Sequence, residues 1–170
     1  MDLKNIIRTI PNYPIDGVLF RDITTVLKDK EALRKSVDEI TKSLEKIEFD
    51  YVLGPESRGF IFAMPIAYNM NKGFIPVRKA GKLPAETISK EYDLEYGSAV
   101  LEIHKDAIKK GDKVIIVDDL LATGGTCKAI IELVESIGAE VVSLNFFIEL
   151  EELNGRQLLG DYNISSVVKY

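Results

Sequence analysis

The chain has 170 residues, of which 46% are hydrophobic and 29% charged, values typical of a globular domain with its own core. Its formal net charge of −5 differs from the basic balance of nucleic-acid-binding domains, so we expect no nucleic-acid partner. A single cysteine excludes an internal disulfide. No signal-peptide pattern is present, and no uncharged apolar run approaches the ~20 residues that cross a bilayer, so the sequence predicts a cytoplasmic protein outside the membrane.

Prolines and turns interrupt the first 28 residues. A short amphipathic helix is predicted over 1–9, and Pro11 and Pro14 end it because proline cannot continue a helical hydrogen-bond ladder. The residues from Pro14 to Gly17 predict a turn that leads into Val18. This short segment has too few apolar residues to fold alone, so we expect it to pack as an appendage on the main domain.

From Asp29 onward, the sequence alternates between helical and extended patterns. Apolar residues recur every three or four positions between Asp29 and Ile47, which predicts a helix capped by Asp29. The continuous apolar run from Val114 to Val117 is typical of a strand buried on both faces of a parallel sheet. The predicted helices cover 29–47, 59–70 (with Pro65 inside and Gly73 as its stop) and 125–137, and the predicted strands cover 51–53, 74–77, 113–119, 141–148 and 164–168.

This alternation predicts an α/β fold with a mainly parallel central sheet flanked by helices. Residues 78–97 show no helical period, and an extended hairpin over about 86–103, with Gly97 near its turn, fits them better. Long irregular segments of compact domains are usually functional or mobile. Ligands of such sheets bind beyond the carboxyl ends of the strands, which indicates the loops at 54–58, 78–82 and 118–126.

The segment from Val114 to Thr126, VIIVDDLLATGGT, joins a predicted strand to a predicted helix. Its last five residues are Ala122, Thr123, Gly124, Gly125 and Thr126. They offer backbone N–H groups, hydroxyls and a helix start, which together suit a phosphate. Asp118 and Asp119 just upstream can accept hydrogen bonds from ribose hydroxyls and favour magnesium carried by a substrate. An ordinary strand–turn–helix connection is the alternative, and the segment matches neither a Walker A loop nor a Rossmann fingerprint.

VIIVDDLLATGGT resembles the motif with which type I phosphoribosyltransferases bind 5-phosphoribosyl 1-pyrophosphate (PRPP). Further segments resemble the adenine phosphoribosyltransferase family, and together the matches extend over essentially the whole chain. These segments are PIDGVLFRDIT (14–24), PESRGFIF (55–62), VRKAGKLPAET (77–87), YDLEYGSAVLEI (92–103) and the ending from Asn154-Gly155-Arg156 to Tyr170.

The resemblance implies a type I phosphoribosyltransferase fold that transfers phosphoribose from PRPP to adenine, giving AMP and pyrophosphate through an oxocarbenium-like state. Magnesium is then carried by PRPP and has no direct protein ligands, and the enzyme is a homodimer. One domain is expected over 1–170, with a base-binding appendage at 1–28 and a mobile hood at 78–103.

The resemblance also implies roles for individual residues. Asp118 and Asp119 would bind the ribose hydroxyls and stabilise the developing positive ring, and Ala122 to Thr126 would hold the 5′-phosphate. Glu95 is the candidate group for moving the purine proton, and Tyr96 would cover the site. The residues expected on the pyrophosphate side are Ser57, Arg58, Arg78, Lys79 and Lys82, and those expected around adenine are Leu19, Phe20 and Arg21.

Other readings share part of this pattern. A sister transferase for hypoxanthine, guanine, xanthine or orotate would keep the phosphate loop and differ in the base pocket, where the VLFRD segment favours adenine. A nucleotide-sensing regulator of the same fold would need a nucleic-acid-binding domain or a basic face. A generic response-regulator-like domain has no account of the Thr123–Thr126 loop.

Overall fold

A computed structural model describes residues 1–94 and 96–170 of the chain. Its strands are β1 (Arg8–Pro11), β2 (Leu19–Asp22), β3 (Tyr51–Pro55), β4 (Gly73–Lys79), β5 (Thr87–Asp93), β6 (Ser98–His104), β7 (Lys113–Leu121), β8 (Glu140–Glu149) and β9 (Ile164–Lys169). Its α-helices are α1 (Leu3–Ile6), α2 (Thr24–Leu27), α3 (Lys30–Ser43), α4 (Arg58–Asn69), α5 (Gly125–Ser136) and α6 (Gly155–Leu159), and a turn of 3₁₀ helix covers Glu151–Leu153.

The central sheet has seven strands in the order β5-β6-β4-β3-β7-β8-β9. The five strands from β4 to β9 in that order run parallel, whereas β6 is antiparallel to both β4 and β5. The predicted α/β class with a mainly parallel sheet is thereby confirmed. In the described residues no helix is both long and apolar enough to cross a membrane.

The burial of β7 on both faces of the sheet explains why its sequence is apolar at consecutive positions. Val114 and Ile116 belong to the core on one side of the sheet, together with α5. Ile115 and Val117 belong to the core on the other side, together with α3 and α4. All four side chains are fully buried, because a parallel strand covered on both faces needs apolar residues at every position.

The predicted N-terminal helix over 1–9 is wrong beyond the single turn of α1. Helix α1 ends at Ile6, and β1 then pairs antiparallel with β2, with Arg8 opposite Asp22 and Thr9 opposite Arg21. The guanidinium of Arg8 forms an ion pair with the Asp22 carboxylate. Pairing with a strand that is distant in sequence therefore overrides the local helical spacing.

Several predicted helix ends also need correction. Helix α3 is capped by Asp29 as predicted, but it ends at Ser43, and Ile47 belongs to a following turn. Helix α4 continues through Pro65 to Asn69. The left-handed residue after it is Asn71 (φ 53°), because asparagine tolerates this conformation; Gly73 begins β4 instead.

The C-terminal region contains a helix that the sequence analysis missed. The expected turn at Asn154 is present, with Asn154 in the left-handed conformation (φ 54°), but Gly155 then begins α6. The predicted hairpin at 86–103 is confirmed by the pairing of β5 with β6. Glu95, in the connection between these strands, lies outside the described residues.

The Arg8–Asp22 contact should make stability depend on pH. Hydrogen bonds from Thr24 and then Arg8 lower the pKa of Asp22 from 3.8 to about 2. A depressed carboxyl pKa stabilises the fold above the unfolded value and loses this contribution as pH falls through the folded one. The melting temperature of Asp22→Asn should therefore lie below that of the unmodified chain at pH 6, and the difference should shrink between pH 4 and pH 2. Replacing the exposed Asp16 by Asn is the control, and a difference that does not change with pH would contradict this account.

Candidate active site

A cavity of about 440 Å³ lies at the carboxyl ends of β3 and β7. This is the edge of the sheet where the sequence predicted a ligand, since both strands end there. The cavity brings together the loops at 54–58 and 118–126. Its lining consists of Pro55, Glu56, Ser57, Arg58, Asp118, Asp119, Leu120, Leu121, Ala122, Thr123, Gly124, Gly125, Thr126, Cys127 and Phe146.

The loop between β7 and α5 has the form expected of an anion-binding helix start. Gly124 takes a left-handed conformation (φ 89°) and α5 begins at Gly125, so N–H groups of the first turn are free to meet a ligand. The Thr126 hydroxyl lies 3.4 Å from that of Tyr92 on β5. This contact joins the loop to the hairpin that was predicted to form the hood.

Asp118 and Asp119 lie next to this loop and differ in environment. The Asp119 side chain is 9% exposed, and its Oδ2 lies 2.7 Å from Nε of Arg58. Asp118 Oδ1 accepts a hydrogen bond from the Asp119 N–H at 2.8 Å. Burial, and then the negative charge of Asp119, raise the pKa of Asp118 well above its ordinary value. Asp119 therefore has Arg58 as a direct counter-charge, whereas burial favours the protonated form of Asp118.

Arg58 is positioned by the first turn of α4, and Gly59 allows the helix to approach the acids. A Cβ atom on Gly59 would lie 2.9 Å from Asp118 Oδ1 and 2.7 Å from Pro55 Cδ. From the sequence, Gly59 is predicted only as a helix start. The signal in the sequence that could have indicated this close approach is a residue without a side chain directly after Arg58.

Glu56 forms ion pairs with two of the predicted cations, Arg78 on β4 and Lys82 in the loop after β4. This role of Glu56 was not predicted from the sequence. Its side chain is 9% exposed, and its carboxylate lies 3.3 Å from Arg78 Nε and 3.1 Å from Lys82 Nζ. The backbone N–H of Lys79 donates to Glu56 Oε1 at 2.7 Å. Lys79 as a whole residue is exposed. Burial disfavours the charge on Glu56, but these hydrogen bonds and cations outweigh it and lower its pKa.

A second cavity, of about 100 Å³, adjoins the first and holds the residues predicted to surround the base. Leu19, Phe20 and Arg21 form one side. The second cavity shares Arg58, Asp119 and Leu120 with the larger cavity. Val18, Ile148 and Leu150 complete the lining. The sequence could not indicate Ile148 and Leu150, because they are distant from Leu19 along the chain.

The aromatic and guanidinium groups around the second cavity contact each other. The Arg58 guanidinium carbon lies 5.7 Å from the centre of the Phe20 ring. The Arg21 guanidinium carbon lies 3.7 Å from the centre of the Tyr170 ring. Arg21 Nε is buried, and in the described residues it has no hydrogen-bond partner.

Several predicted residues line neither cavity. Arg78 and Lys82 reach the larger one only through their ion pairs with Glu56, and Lys79 is exposed. Tyr96 is 87% exposed and does not line either cavity. Glu95 falls outside the described residues. Within 1–94 and 96–170, no group of three or more His, Cys, Asp or Glu side chains is arranged to hold a metal ion.

Comparison with known proteins identifies the family. The family model described as "Phosphoribosyl transferase domain" matches residues 24–168. The chain is 60% identical to an adenine phosphoribosyltransferase of Clostridium novyi, covering 100% of this chain and 99% of the relative. It is 56% identical to one of Lachnoclostridium phytofermentans, covering 99% and 97%.

Solved structures agree with the sequence comparison. The crystal structure of adenine phosphoribosyltransferase from Thermoanaerobacter pseudethanolicus superimposes with a TM-score of 0.96 at 54% identity, covering 99% of this chain and 98% of that one. The Saccharomyces cerevisiae enzyme, complexed with an imino-altritol bisphosphate and adenine, gives 0.90 at 40% identity, with coverages of 97% and 96%.

The chain belongs to the adenine phosphoribosyltransferase family. The resemblance described from the sequence is confirmed, together with the type I phosphoribosyltransferase fold and the enzyme class. Membership of this family also disfavours the response-regulator-like reading.

Replacing Gly59 by Ala tests the close approach of α4 to Asp118. The added methyl group meets a proline ring and a carboxylate oxygen, so either the helix or Asp118 must move. A displacement approaching 1 Å at a reacting group costs about 100-fold in rate, and we expect kcat to fall about 10-fold to 100-fold. Asn69→Ala, at the exposed end of the same helix, is the control. A Gly59→Ala enzyme with unchanged kcat would show that this approach is dispensable.

Proposed function

We propose that the chain transfers the 5-phosphoribosyl group of PRPP to adenine, giving AMP and pyrophosphate, a reaction of purine salvage. The observation that carries this proposal is the junction of the two cavities. A large polar cavity built on a phosphate-type loop shares Arg58, Asp119 and Leu120 with a small apolar one. A sugar phosphate in the first would therefore present its anomeric carbon to a planar base in the second.

PRPP, the donor of the phosphoribosyl group, is held by Asp118 and Asp119 near the end of β7 and by the loop that follows this strand. Ala122 to Thr126 hold the 5′-phosphate through backbone N–H groups, threonine hydroxyls and the start of α5. Asp118 and Asp119 accept hydrogen bonds from the ribose hydroxyls. As the bond to pyrophosphate breaks, the ring becomes positive, and the fixed negative charge of Asp119 stabilises it where the charge develops.

The leaving group is held by the cations of the loop at 54–58 and of the segment at 78–82. Ser57 and Arg58 supply N–H groups and a guanidinium beside the cavity, and Arg78, Lys79 and Lys82 supply further positive charge. Glu56 keeps Arg78 and Lys82 together before substrate binds. Pyrophosphate carries several negative charges, so a cluster of cations stabilises its departure.

Adenine occupies the small cavity between Leu19, Phe20 and Arg21, with apolar surface on its faces and main-chain groups at its edges. Glu95 accepts or donates the proton of the reacting purine nitrogen. Tyr96, on the hood at 78–103, covers the site during the reaction and excludes water, which limits hydrolysis of PRPP.

Magnesium accompanies PRPP. The acidic groups near the loop are Asp118 and Asp119, an oxygen donor set that suits this hard cation. A site with few protein ligands fits an ion that is coordinated mainly by substrate oxygens and water. Bound in this way, the ion would neutralise pyrophosphate charge as that group leaves.

The remaining assignments concern the organisation of the protein. Ile61, Met64 and Tyr68 of α4 are 37%, 49% and 85% exposed and follow one another at helical spacing. An apolar stripe of this kind supports a homodimer. Residues 1–170 form one domain, with 1–28 as the base-binding appendage, and the enzyme acts in the cytoplasm.

Asp119→Asn tests the electrostatic role of the acid pair. The substitution keeps a hydrogen-bond acceptor beside Arg58 but removes the negative charge that stabilises the ring. Loss of one preorganised electrostatic contact costs about 100-fold to 1,000-fold in kcat, and we expect that loss with only a small change in melting temperature. Asp106→Asn, an exposed acid elsewhere, is the control. A parallel loss of stability and activity would assign Asp119 to the fold instead.

The reaction itself is tested by product formation. Purified protein, PRPP and magnesium are incubated in parallel with adenine, hypoxanthine, guanine, xanthine and orotate. We expect AMP from adenine and little product from the other bases. A faster reaction with another base would retain the phosphate loop and refute the base pocket, and PRPP binding without any product would favour the regulator reading.

A further inference from the structure

The segment Asn154-Gly155-Arg156 lies directly behind the phosphate loop and has no role in the reaction as described so far. We propose that Gly155 and the ion pair between Arg156 and Glu149 form a positioning device that fixes the shape of the phosphate loop. This inference rests on the proposed binding of the 5′-phosphate at Ala122 to Thr126.

Gly155 packs closely against Ala122 and Gly124 of the loop. A Cβ atom on Gly155 would lie 2.5 Å from the carbonyl oxygen of Ala122 and 2.8 Å from Leu121 Cδ1. From the other side, a Cβ on Gly124 would lie 3.1 Å from the carbonyl oxygen of Gly155. Backbone atoms cannot turn aside as a flexible side chain can, so any shift of Gly155 is transmitted to the loop.

Arg156 fixes the position of Gly155 relative to the sheet. Its Nε lies 2.6 Å from Oε1 of Glu149 and its Nη2 lies 2.9 Å from Oε2, a two-point contact that defines orientation as well as distance. The Glu149 side chain is 4% exposed and stands at the end of β8. Ser166 on β9 also donates to Oε2, at 2.5 Å, and Arg156 Nη1 donates to the Ile164 carbonyl at 3.3 Å.

The same end of the sheet is connected to the start of the loop. The N–H of Leu150, next to Glu149, donates to the carbonyl oxygen of Leu121 at 2.9 Å. The end of β7, the residue after β8 and the first turn of α6 are therefore connected to one another on one side of the loop. A loop that binds phosphate through N–H groups depends on the directions of those groups, and these contacts hold them although Gly155 and Arg156 do not line the cavity.

The experiment compares Gly155→Ala, Arg156→Lys and Arg156→Ala with the unmodified enzyme. Lysine retains the positive charge but cannot form the two-point contact, so its effect should lie between those of arginine and alanine. We expect KM for PRPP to rise about 10-fold in Gly155→Ala and Arg156→Ala, as the weakening of one hydrogen bond to a charged phosphate would cause, while KM for adenine changes less than about twofold. Glu45→Gln, which changes an exposed acid after α3 and outside the hood, is the control.

Two further readouts separate positioning from general stability and from failure of the proposed reaction. Melting temperatures are recorded for every variant. If Gly155→Ala does not fold, the result for Arg156→Lys serves as the test. Binding of ribose 5-phosphate, measured by calorimetry, requires no turnover. Weaker binding in the variants would support the positioning device even if no AMP were formed. Equal changes in both KM values, or unchanged ribose 5-phosphate affinity, would overturn it.

Discussion

The site depends first on the ion pair between Arg58 and Asp119. The Asp119 side chain is only 9% exposed and lies 2.7 Å from the guanidinium, and a carboxylate this buried is costly without a counter-charge. Both residues line both cavities, and the same guanidinium faces the Phe20 ring. One interaction thus sets the relative position of the acid for the sugar and the wall for the base.

The sheet provides the rigid frame for this pair. Strand β7 is buried on both faces up to the point where its acids emerge, and its neighbours β3 and β8 end at the same edge. Groups on loops at this edge are therefore held by strands that cannot shift independently. Catalysis by positioning and electrostatics requires this kind of frame, because fixed charges stabilise a transition state only where the charge develops.

The sequence predicted features that are local along the chain. The Thr123–Thr126 loop, the apolar run before it and the cap at Asp29 are recognisable because neighbouring residues determine them. Arg8 adopts a strand only because Leu19–Asp22 pairs with its segment. Likewise, the roles of Glu56 and Gly155 depend on contacts with Arg78, Lys82 and Ala122, and no local pattern reports distances between such separated segments.

We infer that the two cavities form one continuous site for phosphoribose and adenine. A crystal structure of the protein with AMP bound would test this inference. We expect the phosphate against the N–H groups of Thr123 to Thr126, the ribose hydroxyls on Asp118 and Asp119, and the base beside Phe20. An AMP molecule with its base outside the cavity at Leu19, Phe20 and Arg21, or with its phosphate away from the loop, would contradict it.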